Sequence, residues 1–183
     1  MKILIATGIY PPEIGGPAQY AKNLADVFGA EHKVTVKVFS RFKMFPTGIR
    51  HALYFFSILP ALSRTDYVIA LDTFSCALPT VLGAKLFRKK IVIRTGGDFL
   101  WEEYVERTKK KVLFRNFYTE ELENFSPKEK KIFSLTRWVL ANASKIIFST
   151  VWQRDIFVSA YQLNLAKTTT IENYYGCFFL SFF

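Results

Sequence analysis

A glycine-rich loop near the start of the chain constrains its fold more than any other feature. Residues 3–6 form an unbroken apolar run, which is typical of a buried strand. Residues 10–18 contain two prolines, a glycine pair and a third proline, and apolar residues at helical spacing continue to residue 28. The first prolines favour an extended loop, the glycines free the backbone, and the last proline suits the first turn of a helix. The segment therefore predicts a strand, a stiff loop and a helix.

Two interpretations of this loop stay open. The N–H groups at the start of a helix attract anions, so Gly15 and Gly16 are candidates to bind a phosphate group. A tight turn between a strand and a helix uses the same residue types without any ligand. The loop alone does not decide between them.

The rest of the chain repeats the alternation of strand and helix. Runs rich in apolar and β-branched residues predict strands over residues 34–39, 67–71, 91–95, 145–149 and 168–171. Helices are predicted over 74–87 and 126–142 and from residue 150 onward. Such alternation predicts an α/β fold, a Rossmann-like doubly wound parallel sheet with helices on both faces. We expect one domain over residues 1–173 and an apolar tail over residues 174–183. The tail is typical of a truncated or frameshifted end, and an interaction tail stays open as the alternative.

Two segments fit this alternation less well. Residues 99–125 mix aromatic and basic side chains, which favours either a mobile flap or membrane-facing insertion, or a charged helical excursion over the domain. Residues 49–64 predict a helix with Leu53, Phe56, Leu59 and Leu62 on one face. That face packs either on the sheet or on a membrane interface.

The basic residues of the chain are clustered. The formal net charge is +10, and residues 33–64 contain six cations and no acid, while a second cluster covers residues 85–94. Basic surfaces meet nucleic acid or anionic lipid. Because no nucleic-acid-binding motif is present, we expect a membrane surface as the partner. The predicted contact residues combine cations with bulky apolar groups: Arg41, Phe42, Lys43 and Phe45.

The sequence also limits the cellular setting that we expect. The longest uncharged apolar stretch, residues 52–62, is shorter than the roughly 20 residues that span a bilayer. Two cysteines, Cys76 and Cys177, are too few and too unpatterned for a disulfide framework or a metal site. No secretory leader pattern opens the chain. We therefore expect a cytoplasmic protein, peripheral on the inner face of the membrane, with no metal.

Three segments of the chain resemble the amino-terminal part of glycosyltransferase family 4. They are the glycine-rich loop at residues 10–18 with its flanking strand and helix, residues 93–102 with the motif Gly96-Gly97-Asp98, and residues 170–173. The first two are fairly specific together, and the third is weak alone. The resemblance covers nearly the whole chain, and the segments follow the order of the family.

The family consists of retaining sugar transferases with the GT-B fold, in which two Rossmann-like domains enclose the active site. The resemblance implies that this chain is the amino-terminal, acceptor-binding half of such an enzyme. The reaction implied is transfer of a sugar from a nucleotide-sugar donor to a lipid-linked or glycan acceptor in polysaccharide or glycolipid synthesis. The nucleotide sugar is a co-substrate, and no further cofactor is implied. The implied partner is a donor-binding domain, missing here or on another chain, without which we expect no activity.

Resemblance and sheet geometry predict the site at the same place, because open α/β sheets bind ligands beyond the carboxyl ends of their strands. The resemblance implies Asp98 as the catalytic residue, near the acceptor and the reacting sugar. It implies substrate contacts for Glu13, Gly15, Gly16, Gly97, Trp101 and Glu102. Ordinary structural roles stay open for three of them: a turn aspartate that caps the next segment for Asp98, an exposed loop acid for Glu13, and core packing for Trp101.

One apparent match and one function class are set aside. The second domain of the family carries two glutamates with seven residues between them, and Glu121 and Glu129 share that spacing. However, Ser126 and Glu129 fit a capping box at a helix start, which explains Glu129 without catalysis.

A nicotinamide-dependent oxidoreductase is disfavoured, because the loop after the first strand lacks the Gly-x-Gly-x-x-Gly turn. A non-catalytic module that binds glycan-lipid or membrane stays open as the alternative function.

Overall fold

The computed structural model describes residues 1–173, and the apolar tail predicted over residues 174–183 lies outside the described residues. The strands are β1 Lys2–Thr7, β2 Lys33–Val38, β3 Tyr67–Ala70, β4 Ile91–Thr95, β5 Lys145–Phe148 and β6 Thr168–Thr170. They form one parallel sheet in the order β2-β1-β3-β4-β5-β6. The predicted strands are therefore confirmed, with shifts of one residue at some ends.

Seven helices join these strands within the described residues. They are α1 Gly16–Gly29, α2 Thr47–Leu62, α3 Ala77–Leu86, α4 Phe99–Thr108, α5 Phe114–Glu120, α6 Pro127–Ala141 and α7 Val151–Tyr161. The chain steps from β1 outward to β2 and then crosses the sheet in the opposite direction as far as β6. Because crossovers between parallel strands are right-handed, these two directions place helices on opposite faces. The predicted Rossmann-like sheet with helices on both faces is confirmed.

The main hydrophobic core lies under the larger helical layer. Alternate strand residues such as Leu4, Val68 and Ile93 point into it and meet side chains of α2, α3, α4, α6 and α7. Ile3 and Ile5 are also buried but point to the other face, where α1 contacts β1 and β2. The strands are thus apolar on both faces, as parallel sheets require.

Two ambiguous segments of the sequence now have a structure. Residues 99–125 form α4, α5 and a short 3₁₀ turn, so the helical excursion is the interpretation that holds. Their aromatic residues Tyr104, Phe117 and Tyr118 are buried in the core, which leaves none of them for a membrane. On α2 the buried residues are Tyr54, Ile58 and Leu62, at a spacing of four.

The predicted face of α2 is therefore partly wrong. Leu62 is fully buried, whereas Phe56 is 66% exposed on the outside of the helix. The apolar residues of this helix outnumber the positions that face the sheet, so spacing alone assigned Phe56 to the wrong side. At the start of α6 the predicted capping box is confirmed: Glu129 N–H donates to Ser126 Oγ (3.3 Å), and Ser126 N–H donates to Glu129 Oε2 (2.7 Å).

Candidate functional site

The predicted site loops meet at the carboxyl edge of the sheet. Gly8, in the loop after β1, lies beside Asp72, which follows β3: a Cβ added to Gly8 would stand 3.7 Å from Asp72 Oδ2. Gly96, after β4, lies beside the loop after β5: a Cβ added to Gly96 would stand 3.2 Å from Ser149 Oγ. The edge therefore brings four loops together in the position where sheets of this kind bind ligands.

The start of α1 is open. Gly15 has φ 153° and ψ 155°, a combination that residues with side chains rarely adopt. A Cβ added to Gly16 would meet nothing within 4 Å, and no side chain caps this helix. The first turn also carries no acidic residue. The positive end of the helix dipole thus stands at the edge without a counter-charge from its own first turn.

Glu13 ties the glycine loop to the segment after β2. Its carboxylate accepts hydrogen bonds from Ser40 Oγ and from Tyr10 N–H, the latter at 3.5 Å. Lys43 Nζ lies 3.9 Å from Glu13 Oε1. These contacts hold Glu13 in place, half-buried beside the glycine pair, and its contact with a sugar stays a prediction.

Asp98 caps α4. It is 3% exposed, and its Oδ1 accepts hydrogen bonds from Leu100 N–H (2.9 Å) and Trp101 N–H (3.0 Å). Its other oxygen accepts a hydrogen bond from the Tyr118 hydroxyl. The capping role that sequence analysis left open for Asp98 is therefore present, and both carboxylate oxygens already have partners inside the fold.

A chain of two buried tyrosines extends from Asp98 and was not predicted. Tyr118 gives its only proton to Asp98, so Tyr161 is the donor in the hydrogen bond between the two hydroxyls. Burial raises the pKa of Asp98, although the bond from Tyr118 works in the opposite direction, and burial raises the pKa of both tyrosines well above their usual value. Positions 98, 118 and 161 share no sequence spacing, so only the fold brings them together.

Glu102 is an exposed carboxylate in the first turn of α4. A Cβ added to Gly97 would lie 2.7 Å from Glu102 Oε1, so the glycine leaves the space that the carboxylate occupies. Desolvation and the neighbouring charge of Asp98 raise the pKa of Glu102. Gly97, in the loop after β4, and Glu102, in the first turn of α4, thus lie side by side. Of the two acids Asp98 and Glu102, only Glu102 is exposed.

Trp101 has the contacts of a packing residue. Its indole N–H donates to the carbonyl oxygen of Val112 (3.1 Å), and its ring lies 5.6 Å from that of Phe114. The alternative of core packing accounts for both contacts. A role of Trp101 in an acceptor pocket stays a prediction.

Arg94 is a residue of this edge that sequence analysis counted only as part of a basic cluster. It is 7% exposed, and its guanidinium carbon lies 4.2 Å from the centre of the Tyr20 ring on α1. One amino group donates to Asn173 Oδ1, while Nε has no hydrogen-bond partner among residues 1–173. A buried cation normally has a carboxylate beside it, and here its contacts are a ring and an amide. A single arginine in an apolar strand was the available sequence signal.

The predicted membrane residues lie in the 3₁₀ turn Phe39–Phe42 and the loop that follows it. Arg41 and Lys43 are exposed, and Phe45 is 38% exposed. Phe42 is the exception: it packs against the core, with its ring edge-on to Tyr54. Phe42 is half-buried because the 3₁₀ turn directs its side chain toward the core, and its contact with a membrane stays a prediction. None of the helices in residues 1–173 is long and apolar enough to cross a membrane.

No protein-family model matches the sequence, and no curated protein matches it. The fold does match solved structures, among them "The structure of UDP-GlcNAc 2-epimerase from Methanocaldococcus jannaschii", at 13% identity and a TM-score of 0.55. The match covers 93% of this chain and 45% of the epimerase chain, so this chain spans a little under half the length of that enzyme. At such low identity the likeness concerns the fold, a GT-B-like Rossmann fold, and does not single out glycosyltransferase family 4.

Proposed function

We propose that this chain is the acceptor-side half of an enzyme that processes sugar nucleotides, and more narrowly of a retaining glycosyltransferase. The reaction we propose moves a sugar from a nucleotide-sugar donor to a lipid-linked or glycan acceptor in polysaccharide or glycolipid synthesis. Two arguments support this proposal: the sequence segments that resemble glycosyltransferase family 4, and a fold shared with an enzyme named for a sugar nucleotide.

The observation that carries the proposal is a pair of positively charged features at the carboxyl edge, the start of α1 and Arg94. The start of α1 lacks a capping side chain, and Arg94 is buried beside Tyr20 of the same helix without an ion-pair partner among residues 1–173. A diphosphate supplies the negative charge that both features lack, and helix starts and arginines are common phosphate ligands. Gly15 and Gly16 leave the backbone accessible for close approach.

The two acids after β4 receive different roles in this proposal. Asp98 has both oxygens occupied, so we assign it to hold the loop and not to touch the reacting atoms. Glu102 is exposed, and its pKa is raised by desolvation and by Asp98, which suits a carboxylate that exchanges a proton with an acceptor hydroxyl. Glu13 is the proposed sugar contact on the opposite side of the edge. A donor-binding domain, on this chain or another, supplies the second wall of the cleft.

A nuclear magnetic resonance titration tests the anion site directly. Pyrophosphate and UDP-GlcNAc are expected to shift the amide signals of Gly15, Gly16 and Ala18, whereas uridine alone leaves them unchanged. Replacing Arg94 by Met removes the buried charge and keeps most of the apolar volume, so it is expected to weaken the pyrophosphate response. Arg115→Met, at an exposed position on α5, is the matched control. Shifts that avoid the edge, or that survive Arg94→Met unchanged, contradict the proposed site.

The alternative function, a non-catalytic module that binds glycan-lipid or membrane, is favoured by apolar residues exposed on α2 and α3. A transfer assay separates the two functions. The chain is mixed with labelled nucleotide sugars, a lipid-linked acceptor pool and a separately expressed donor-binding domain. The transferase is supported if the parent chain forms labelled lipid and the Glu102→Gln variant does not. Retention of the acceptor lipid without transfer, for every donor domain supplied, supports the module.

A further inference from the structure

The outer surface of α2 and α3 exposes large apolar side chains. Phe56 and Leu86 are 66% and 65% exposed, and Ile49, Pro60 and Leu82 are exposed beside them. On α2 the exposed positions recur at intervals of seven and four residues, which brings them onto one face of the helix. We call this surface the outer ridge: Ile49, Phe56 and Pro60 of α2 with Leu82 and Leu86 of α3.

The ridge is a continuous surface because α2 and α3 pack closely. Gly83 of α3 makes this approach possible: a Cβ added there would lie 2.5 Å from Leu62 Cδ1 of α2. The opposite sides of both helices, including Ile58 and Val81, face the sheet and complete the core. The core of residues 1–173 is therefore complete without the ridge. The apolar side chains of the ridge are available for contact with a partner outside these residues.

The charges around the ridge indicate which kind of partner contacts it. Residues 32–65 and 73–97, which contain both helices, include no aspartate or glutamate. α2 starts at the carboxyl edge and ends at the amino edge, so Arg41 and Lys43 stand at one end of the ridge and Arg64 at the other. Arg88 and Lys90 follow α3 at that second end. The ridge is thus an apolar strip about 16 Å long, from Ile49 to Pro60 along α2, with cations at both ends.

We propose that the outer ridge docks on an anionic bilayer, with α2 and α3 parallel to the membrane plane. Apolar side chains flanked by cations are the pattern of helices that lie in the headgroup region, where each cation adds attraction to acidic lipid. Nucleic acid provides no apolar groove that would cover Phe56 and Leu86. A second copy of the chain would bring the same cations face to face.

Docking in this way also orients the candidate site. Lys43 belongs to the basic end of the ridge and lies 3.9 Å from Glu13, which Ser40 holds beside the glycine loop. The end of the ridge at the carboxyl edge therefore brings the site loops to the membrane surface. This consequence rests on the proposed function, since it gives a lipid-linked acceptor a short path to the site, whereas docking itself does not depend on it.

Vesicle co-sedimentation tests the docking. The chain is expected to bind vesicles of phosphatidylglycerol and phosphatidylcholine and to bind pure phosphatidylcholine at least ten-fold more weakly, with the difference shrinking in high salt. The double variant Phe56→Gln and Leu86→Gln removes two large apolar contacts and is expected to weaken binding at least ten-fold. Its matched control is Val27→Gln with Leu113→Gln, because both residues are exposed and lie away from the ridge.

A charge-reversal pair tests the electrostatic part. Arg41→Glu with Lys90→Glu changes one cation at each end of the ridge and is expected to weaken binding at least twenty-fold, from about five-fold per removed charge. Lys111→Glu with Lys130→Glu changes the net charge equally at exposed positions on other elements and is expected to have a much smaller effect. Equal losses in both pairs overturn the ridge as the docking surface, as does equal binding to both lipid compositions.

A fluorescence measurement covers the event that a double variant fails to fold. Tryptophan at position 56 (Phe56→Trp) is expected to shift to shorter wavelength on anionic vesicles and to be quenched by brominated acyl chains. Tryptophan at position 27 (Val27→Trp) is the control and is expected to do neither. The proposal is overturned if the parent chain sediments as a dimer and does not bind vesicles, and if the double variant Phe56→Gln and Leu86→Gln is a monomer. That result identifies the ridge as a self-association surface. If the chain binds vesicles normally but pyrophosphate does not shift its amide signals, the docking proposal stands and only the proposed function is contradicted.

Discussion

Helices α1 and α4 start in the same way in the sequence and in opposite ways in the structure. Both follow a strand at the carboxyl edge, and a glycine pair lies at the start of each: Gly15 and Gly16 at α1, Gly96 and Gly97 before α4. At α4, Asp98 accepts two backbone N–H groups and the hydroxyl of Tyr118, so the helix start is complete. At α1, Gly15 occupies the cap position and provides no side chain, and the first turn has no acid.

This difference separates the part of the edge that builds the fold from the part that is available to a ligand. A helix start whose N–H groups are satisfied from within has little capacity left for an anion. The α1 start keeps that capacity, and the buried Arg94 beside Tyr20 adds to it. We therefore expect loss of the Asp98 cap to act on stability and loss of access to the backbone at Gly16 to act on binding.

The largest expected effect is the loss of stability on replacing Asp98 by Ala. The change removes a helix cap and leaves the buried Tyr118 hydroxyl without its acceptor, which together cost about 3 kcal/mol. Chemical denaturation measures the free energy of unfolding. Asp98→Asn keeps an acceptor for the backbone N–H groups and is the matched variant, with a smaller expected loss. A change below 1 kcal/mol for Asp98→Ala would contradict the view that this loop is structural.

The next effect is expected at Gly15. Alanine there must adopt φ 153° and ψ 155°, which costs about 1–3 kcal/mol, and its Cβ would lie 3.3 Å from Ile9 Cδ1. Thermal unfolding of Gly15→Ala is therefore expected to show a lower midpoint than the parent. An unchanged midpoint means that the loop adopts another backbone conformation at low cost, and the open α1 start would then need revision.

A smaller effect is expected from pH, and it belongs to the α4–α5 region. The hydrogen bond from Lys110, with those from Tyr104 and Asn124, lowers the pKa of Glu121 from 4.5 to about 2. A lowered pKa in the folded state contributes stability that is present above pH 4.5 and is lost as the pH falls toward 2. Glu121→Gln is expected to flatten the fall of the unfolding free energy in this range, measured by denaturation at several pH values. Glu123→Gln, exposed in the adjacent 3₁₀ turn, is the control that keeps the fall.

Sequence analysis predicted the sheet well because most strand residues are apolar or β-branched, as at residues 91–95. The capping box of α6 was also predictable, since Ser126 and Glu129 interact locally. The network of Asp98, Tyr118 and Tyr161 was not, because hydrogen bonds between distant positions leave no periodicity. Phe56 was assigned to the wrong side of α2 for a related reason: an apolar residue type says that burial is favourable, and only packing decides which residues are buried.

The smallest effect on stability, and the sharpest test of the comparison, is expected at Gly16. A Cβ at this position would meet nothing within 4 Å, and its backbone is helical, so Gly16→Ala is expected to change the free energy of unfolding by no more than about 0.5 kcal/mol. A diphosphate held against the start of α1 must approach this backbone, and the added methyl group would stand in its way. The expected result is an unchanged unfolding midpoint together with a loss of the pyrophosphate-induced amide shifts. Gly29→Ala, at an equally open position at the other end of α1, is the matched control and is expected to change neither. Shifts that are retained in Gly16→Ala would show that pyrophosphate does not approach the backbone of Gly16, and they would contradict the start of α1 as the binding site.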